Sequence, residues 1–513
     1  MNASPSALRN TLFSSAGIYT EYVLGMLTSI MIARHLGPDS FGLYSLVIWL
    51  VSVGMTMTNA GSSSAAIKFV AELRGGGQET LIRPLLAYLR RTQRTCLLLV
   101  LLAAGLLSAL AGGKLVPGFN RLLLFGLLAL TISLRAPYMF NISLGKGLEN
   151  FRATATVALI ATPLNLAMVA VAWWLDAPMG VFLAVYAISS MVFYGVSHYQ
   201  TARLVPASSV TCLPPELKQR IVRHMRYVAV TVTVSFVAAS DVEVLFLNLF
   251  ASPAAAGQFK VAFQLATGAA LLLPGVVGAL MLPMMASALS RGMSLAGRRF
   301  VGATTYLTLL AAPLVAFGFV FAPAVIGLLY GASYAAAAPV FAICLFGGSL
   351  GTVSQAASSL LISADRQRSI MLLVIANAAV KFLLDVVLTL HFGLAGAVAA
   401  CTIANVLTAV AVIALAMRVS RLQPDWPRLA RIVAAASLAA AAAWPLRGLS
   451  TPLPTLVLGG ATFALAYVLL TFALGCWSRG DIEHMQRLHQ RVPAFPALVA
   501  LLAWAGKRAG KDA

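Results

Sequence analysis

The chain has 513 residues, of which 60% are hydrophobic and only 10% are charged, and its mean hydropathy is +0.89. Water could not solvate the surface of a compact fold with this composition, so the composition excludes an ordinary soluble protein and indicates a membrane protein. The formal net charge of +21 would suggest nucleic acid binding in a soluble protein. Here its distribution along the chain explains it, and we expect no nucleic acid partner.

Apolar runs long enough to cross a ~30 Å hydrocarbon layer predict fourteen membrane spans. They lie at residues 11–34, 43–70, 95–113, 122–145, 153–175, 179–200, 226–249, 257–286, 300–328, 336–362, 369–390, 393–417, 430–448 and 454–477. The segment before the first run is too short and too weakly basic for a cleaved signal peptide, so that run should stay as a helix.

The connections between these runs are too short to hold a soluble catalytic or nucleotide-binding domain. In the connection 71–94, a leucine stripe from Leu81 to Leu89 accompanies Arg83, Arg90 and Arg91, which predicts a helix lying on the membrane surface. The apolar stretch 494–506 is too short to span and is expected at the interface. The function should therefore lie inside the helical bundle.

Lysine and arginine fall mainly in alternate connections. If the first span begins near Asn10, one side of the membrane receives 29 of the 36 basic residues. Retained basic loops set the orientation of membrane hairpins, so this pattern predicts a multi-spanning inner-membrane protein with both termini in the cytoplasm. The same excess favours contact with anionic lipid headgroups.

The five cysteines are isolated, and none has metal-ligand spacing. We therefore expect no disulfide framework, no metal and no cofactor. A GxxxxGK[ST] nucleotide motif is also missing from the sequence.

The chain repeats itself at an offset of about 215 residues, as membrane bundles built from internal repeats do. Residues 35–44 overlay residues 250–259, matching Pro38 with Pro253 and Gly42 with Gly257. Six predicted spans separate equivalent points, so both halves insert with the same orientation. They should be related by an axis along the membrane normal, with a site between them near the midplane.

The predicted fold class is an all-α membrane protein of about fourteen helices, with two six-helix pseudo-symmetric lobes and two extra C-terminal helices. The predicted domains are an N-lobe, an inter-lobe linker, a C-lobe, spans 13 and 14, and a cytoplasmic or interfacial tail. Their bounds are 1–200, 201–225, 226–418, 419–477 and 478–513.

Three segments resemble a known family. IARHLGPDSFGLYSLVIWL with AGSSSAAIKFVAEL, then SDVEVLFLNLFASPAAAGQFKVAFQ, then LLYGASYAAAAPVFAICLFG, resemble the O-antigen and exopolysaccharide lipid-carrier flippases of the multidrug/oligosaccharidyl-lipid/polysaccharide exporter superfamily. The resemblance covers residues 10 to about 420. It implies two lobes around a cavity and alternating access that moves undecaprenyl-diphosphate-linked oligosaccharide to the periplasmic face. Membrane lipids, H⁺ or Na⁺, and polysaccharide polymerase or export machinery are the partners to expect.

Basic residues within the spans are candidates for binding the diphosphate, because a charge in the bilayer is costly and marks function by default. Arg135 and Lys381 are placed at middle depths of opposite lobes, Lys68 at the cytoplasmic end of span 2, and Lys260 at the outer start of span 8. Guanidinium and ammonium groups both suit phosphate oxygens. The alternatives are an internal Lys381–Asp385 ion pair and a snorkelling role for Lys68.

Acidic residues within the spans are candidates for coupling to H⁺ or Na⁺, because a carboxylate in low dielectric can alternate between charged and neutral forms. They are Glu21, Asp241, Glu243 and Asp385. Asp241 and Glu243, placed in the outer half of span 7, face different sides of a helix and are not expected to form one site. Structural pairing is the alternative for each.

Prolines within the spans could let helices bend between states; they are Pro137, Pro163, Pro274, Pro283, Pro313 and Pro323. Two related functions stay open, a lipid II flippase and a multidrug or cation antiporter of the same superfamily. Spans 13 and 14 argue against the antiporter, which usually has twelve. A membrane glycosyltransferase, polymerase or ligase is less favoured, since the outward loops are short and almost uncharged.

Overall fold

The computed structural model describes residues 5–205, 210, 212–239, 241–272, 275–449, 451–478 and 480–482. Within these residues the fold is helical throughout, without strands. The helices are α1 (Pro5–Thr58), α2 (Ser62–Gly75), α3 (Ile82–Leu115), α4 (Arg121–Gly147), α5 (Phe151–Trp174), α6 (Met179–Ala202), α7 (Pro215–Ala239), α8 (Val242–Phe250), α9 (Pro253–Leu272), α10 (Gly275–Leu289), α11 (Met293–Tyr330), α12 (Ala337–Ser363), α13 (Gln367–Ser420), α14 (Trp426–Ala443) and α15 (Pro452–Ala473).

Local sequence signals set several of the helix ends. The Asn120 side chain accepts hydrogen bonds from the backbone N–H groups of Leu122 and Leu123, at 2.9 and 3.3 Å, and so caps the start of α4. Asp425 caps α14 in the same way through the N–H of Arg428. At the end of α15, Gly475 has φ 66°, a left-handed conformation that glycine adopts without strain.

Ten helical segments of the described chain are long and apolar enough to cross a membrane. Two of them, within α1 and α13, each cover two predicted spans wholly or in part, so these segments account for twelve of the fourteen predictions. Predicted spans 7 and 8 fall on α7 to α10, which do not meet the same measure. The all-α, multi-span prediction is confirmed.

The long helices α1 and α13 each bend at a glycine. Gly37 in α1 has φ 71° and ψ 173°, and Gly393 in α13 has φ 53° and ψ −127°. Pro38 follows Gly37, and a residue before proline is disfavoured in the helical region. Among the prolines proposed as bends, Pro137, Pro163, Pro313 and Pro323 lie inside α4, α5 and α11 without non-helical angles there, and Pro274 lies outside the described residues.

Two predicted spans are interrupted. Span 2 is broken by a turn at residues 59–61, where Gly61 has φ 75°. Span 7 is divided between α7 and α8, so Asp241 precedes α8 and is not inside a continuous helix as predicted. Its carboxylate binds Lys260 on α9 and makes no capping hydrogen bond. Span 8 covers α9 and α10, and the two residues between these helices lie outside the described residues.

The prediction of a separate surface helix at 71–94 was wrong. Residues from Ile82 onward are the first turns of α3, which continues without a break to Leu115. The leucine stripe packs on protein: Leu85 and Leu89 are fully buried against Phe69 of α2 and Ile221 of α7. An apolar stripe needs an apolar partner, and here neighbouring helices supply it.

The chain forms two compact units. The first comprises Met1–Lys260 with Thr389–Leu394, and in it α1 packs on α5 and α4 packs on α6. The second comprises Val261–Leu388 with Ala395–Ala513, and in it α11 packs on α12 and α14 while α14 packs on α15. The domain bounds given above from the sequence stay a prediction, and the apolar stretch 494–506 lies outside the described residues.

Within the first unit, α1 and α9 approach each other backbone to backbone at two equivalent glycines. A Cβ atom on Gly42 would overlap the carbonyl oxygen of Pro253, and one on Gly257 would overlap the carbonyl oxygen of Pro38. These are the residues that the internal repeat aligns. The repeat therefore has a physical counterpart, since equivalent residues make reciprocal contacts.

Candidate functional site

Arg135 lies on α4 and faces α6 within the first unit. Its guanidinium carbon is 4.2 Å from the ring centre of Phe193, 4.7 Å from that of Tyr186 and 5.8 Å from that of Tyr138. Its Nε donates a hydrogen bond to Ser190 Oγ at 3.0 Å. Cation–π contacts partly replace the water that the charge loses. The two terminal nitrogens make no hydrogen bond to another described residue, so they can serve a ligand.

The α6 side of this site follows from helical spacing. Tyr186, Ser190 and Phe193 are four and three residues apart and therefore share one face of α6. Tyr138 is three residues after Arg135 on α4, and its ring meets Phe193 edge to face at 5.1 Å. The sequence interpretation named Arg135 but missed this aromatic set. The signal was the spacing of Tyr186, Ser190 and Phe193 beside a predicted cationic helix.

Glu21 on α1 is exposed and interacts electrostatically with Arg135 and Lys146. The buried Tyr44, also on α1, interacts with Arg135 and Tyr186. The structure thus places one candidate coupling carboxylate and one candidate diphosphate ligand in the same electrostatic neighbourhood. The sequence had placed them on separate helices without relating them.

A polar network stands beside this site where Pro137 interrupts the hydrogen bonding of α4. Asn59 Nδ2 and Gln93 Nε2 donate to the carbonyl oxygen of Ala136, at 3.0 and 3.2 Å. Gln93 Nε2 also donates to Asn59 Oδ1 at 2.6 Å. Side chains from α3 and from the turn after α1 therefore hold α4 in place beside its proline.

In the first unit, Asp241, which precedes α8, forms an ion pair with Lys260 on α9. Their side chains are 20% and 22% exposed, respectively. This pairing corresponds to the structural alternative for Asp241. Glu243, two residues later on α8, is buried with 1% of its surface exposed. The two carboxylates lie in different environments, as their spacing predicted.

Lys381 and Asp385 form a buried ion pair within α13, with Nζ and Oδ2 2.8 Å apart. Their side chains are 7% and 0% exposed. The internal pair considered from the i, i+4 spacing is therefore present. Arg135 and Lys381 lie in different compact units, and their joint role as diphosphate ligands stays a prediction.

Lys68 is exposed on α2, with its Nζ 5.3 Å from the ring centre of Phe69. His224 on α7 packs edge to face on the same ring, and its Nε2 is 3.2 Å from Ser64 Oγ. Burial, with the nearby charge of Lys68, lowers the pKa of His224 and favours the neutral imidazole. Lys68 is therefore the charged group of this cluster, and His224 is its neutral neighbour.

An apolar cavity of about 690 Å³ lies in the second unit between α11, α12 and α14. Its walls are mostly alanine, valine and phenylalanine, including Phe319, Phe346 and Val433, and Trp444 stands at one end. We call it the apolar groove. Its size falls within the roughly 300 to 1,000 Å³ range of ligand pockets, and its chemistry suits a hydrocarbon.

In the part of the chain that the structure describes, no group of three His, Cys, Asp or Glu side chains could hold a metal ion. None of the five cysteines, all of which lie within the described residues, forms a disulfide bond.

The family model for polysaccharide biosynthesis proteins matches residues 7–289, more than half of the chain. The chain belongs to this family. No curated protein sequence matches it.

Solved structures of transporters share the fold of this family member. A lipid II flippase MurJ in an inward closed conformation is 13% identical, with a TM-score of 0.70, and the match covers 90% of this chain and 98% of that one. An inward-facing multidrug resistance MATE transporter of the MOP superfamily is 14% identical, with a TM-score of 0.63, and covers 80% and 98%. An outward-facing structure of a MATE transporter gives a TM-score of 0.51 at 15% identity, covering 82% and 97%.

These matches show a multi-pass membrane protein with a fold like that of flippases and transporters. The resemblance recognised from sequence motifs is confirmed at the level of the family, and the fold is like that of the solved transporters.

Proposed function

We propose that the chain is a flippase that moves undecaprenyl-diphosphate-linked polysaccharide repeat units across the bacterial inner membrane, from the cytoplasmic to the periplasmic face, by alternating access. The observation that carries the proposal is the apolar groove, which α14 builds together with α11 and α12. A polyprenyl tail is a long hydrocarbon that needs an apolar wall wherever it leaves the lipid. The chain's membership of the polysaccharide biosynthesis family supports this choice of substrate.

Arg135 is the proposed ligand of the diphosphate. Its aromatic surroundings reduce its contact with water, and its terminal nitrogens can meet phosphate oxygens through the planar fork that favours such recognition. Lys381, Lys68 and Lys260 are retained as further candidates. Lys381 and Lys260 would have to exchange a carboxylate partner for the substrate.

The driving force that we propose is the membrane potential, with H⁺ or Na⁺ as an additional coupling ion. Moving a diphosphate outward from a negative interior is favourable by about 2.3 kcal/mol per net charge per 100 mV. Glu21, Asp241, Glu243 and Asp385 are the candidate coupling carboxylates, and the neighbourhood of Glu21 and Arg135 gives Glu21 the strongest support.

Two alternatives have specific support. A lipid II flippase would use the same polyprenyl diphosphate chemistry, and one such protein has the same fold. A multidrug antiporter is supported by the likeness to MATE transporters. An apolar groove of this size is also compatible with a drug, so the distinction must come from transport.

The test uses proteoliposomes with the full chain and fluorescent undecaprenyl-diphosphate oligosaccharide, lipid II or a cationic dye. We expect flux of the first and no flux of the dye. Ser437→Trp and Ala441→Trp place a ring in the apolar groove and should lower the rate at least about tenfold, whereas Ala434→Trp on another face of α14 should not. Dye flux alone, or equal rates in all three variants, would contradict the proposal.

A further inference from the structure

A second cavity, of about 120 Å³, lies in the first unit between α3, α4 and α6. Its polar lining comes from Arg90, Gln93, Arg94, Asn141, Tyr194 and His198. These residues lie toward the helix ends that the distribution of basic residues predicts to be cytoplasmic. The cavity therefore lies on the predicted cytoplasmic side of the Arg135 site.

The charge in this cavity is one-sided. Arg90 is half-buried and Arg94 is exposed, and the positive charge of Arg94 acts on Arg90. Like charges four residues apart on a helix repel each other. Within the described parts of the chain, neither arginine lies within 4 Å of a carboxylate. Two cations held together in a concave site without an acid are suited to an anion.

The neutral polar groups of the cavity are fixed by the protein. The Gln93 amide is held by Asn59 and the Ala136 carbonyl, and Asn141 Nδ2 donates to Ser197 Oγ at 3.2 Å. The rings of Tyr194 and His198 pack together at 5.6 Å. These contacts make a rigid wall, whereas the two guanidinium groups remain to meet a ligand.

We propose that this cavity is a binding site for a phosphate group, held by Arg90 and Arg94 at the cytoplasmic membrane surface. The arginine fork matches phosphate oxygens, which supports this ligand over other anions. At about 120 Å³ the cavity is smaller than the roughly 300 Å³ lower bound of ordinary ligand pockets, so it admits a phosphate group and not a glycan. The phosphate can come from an anionic phospholipid or from a soluble phosphate compound.

The test measures thermal unfolding of the purified full chain in detergent, with added inorganic pyrophosphate, short-chain phosphatidylglycerol or short-chain phosphatidylcholine at constant ionic strength. A ligand that binds only the folded state stabilises it by RT ln(1 + [L]/Kd), so the unfolding temperature rises with ligand concentration and with affinity. We expect phosphatidylglycerol to stabilise the protein more than phosphatidylcholine. If pyrophosphate stabilises the protein as much as phosphatidylglycerol does, the site is assigned to soluble phosphates. If pyrophosphate does not stabilise the protein, the site is assigned to the lipid.

Two double variants separate this site from general electrostatic attraction. Arg90→Gln with Arg94→Gln should weaken the response about tenfold or more, since each tenfold loss corresponds to about 1.4 kcal/mol. Arg83→Gln with Arg91→Gln removes the same charge from exposed positions of α3 outside the cavity and should leave the response unchanged. Equal responses in the two double variants, or no response of the unmodified chain to any of the three probes, would overturn the proposal.

Discussion

Arg135 illustrates how a costly charge is accommodated before any substrate arrives. Three aromatic rings and one serine hydroxyl surround it, all from α4 and α6. Sequence reasoning could find the arginine, because a cation inside an apolar run is conspicuous. It could not find the enclosure, because Tyr186 and Phe193 look like ordinary apolar residues until α6 is known to face α4.

Arg135→Ala should abolish transport of the lipid-linked oligosaccharide while leaving insertion and abundance normal. Arg135→Lys should retain part of the activity, because lysine keeps the charge and the contact with the rings but loses the planar fork. Flux in proteoliposomes, normalised to reconstituted protein, provides the measurement. Full activity of the alanine variant would remove Arg135 from the diphosphate site.

Lys381→Met should destabilise the protein by about 3 to 5 kcal/mol, because it leaves Asp385 buried without its ion-pair partner. The double change Lys381→Met with Asp385→Leu should recover most of that stability. If the double variant is as stable as the unmodified chain and still transports, the pair is structural. If it is stable but inactive, the pair takes part in transport.

Glu21→Gln should remove any dependence of transport on an H⁺ or Na⁺ gradient, if this carboxylate carries the coupling ion. Glu243→Gln, on α8 and buried, serves as the matched change of an acid in a different environment. The measurement is flux at zero membrane potential with an imposed ion gradient. An unmodified chain without gradient-driven flux would leave the potential as the driving force and the acids as structural partners.

At the level of elements, glycines at α1 and α9 set how closely two helices approach. Apolar periodicity identified most of the helices, because long hydrophobic runs leave few alternatives in a membrane protein. It could not locate the breaks at residues 59–61 or between α7 and α8, since these segments remain apolar on both sides. The prediction of a separate surface helix at 71–94 was wrong for a similar reason. An amphipathic stripe does not show whether lipid or protein covers it.

Gly42→Ala and Gly257→Ala should each lower the unfolding temperature, because the new methyl group would overlap a backbone carbonyl that cannot move aside easily. Overpacking of this kind costs about 1 to 3 kcal/mol. The control is Gly25→Ala on α1, where nothing lies within 4 Å and the higher helix propensity of alanine should be neutral or stabilising. Equal effects at Gly25 and Gly42 would argue against a close contact.

Asp481 fastens the segment after α15 to α11 and α14. Burial alone would raise its pKa, but hydrogen bonds from Ser478, Tyr306 and Arg428 outweigh burial and hold the pKa below its ordinary value. A depressed pKa contributes stability above the unfolded-state value of about 3.9, and that contribution is lost as the pH falls through the folded value. The unfolding temperature should therefore exceed that of Asp481→Asn at neutral pH, and the difference should shrink in acid. A pH-independent difference would refute this origin.

At the scale of the whole molecule, composition and charge pattern predicted a multi-span, all-helical membrane protein, and the fold agrees. The two compact units were harder to predict, because their boundary at Lys260 falls within α9 and not at a polar linker. The substrate cannot be read from a fold shared by lipid flippases and multidrug transporters. We propose that side chains at Arg135 and in the apolar groove determine it.

The predicted topology can be checked with single cysteines in a chain whose five native cysteines are replaced. Gln78 and Gln423 are exposed in loops predicted to be cytoplasmic, and Pro117 and Ser333 in loops predicted to be periplasmic. A membrane-impermeant maleimide added to whole spheroplasts should label cysteines at the last two positions only. Labelling of the first pair in intact spheroplasts would overturn the orientation with both termini in the cytoplasm.

The reciprocal contact of Gly42 with Pro253 and of Gly257 with Pro38 has the form of an isologous interface, in which one patch meets its own copy across a two-fold axis. Such a pattern is what a homodimer of half-length chains would leave after its two genes fused. Both positions are glycine in this chain, so the two helices meet as two copies of one subunit would meet across such an axis.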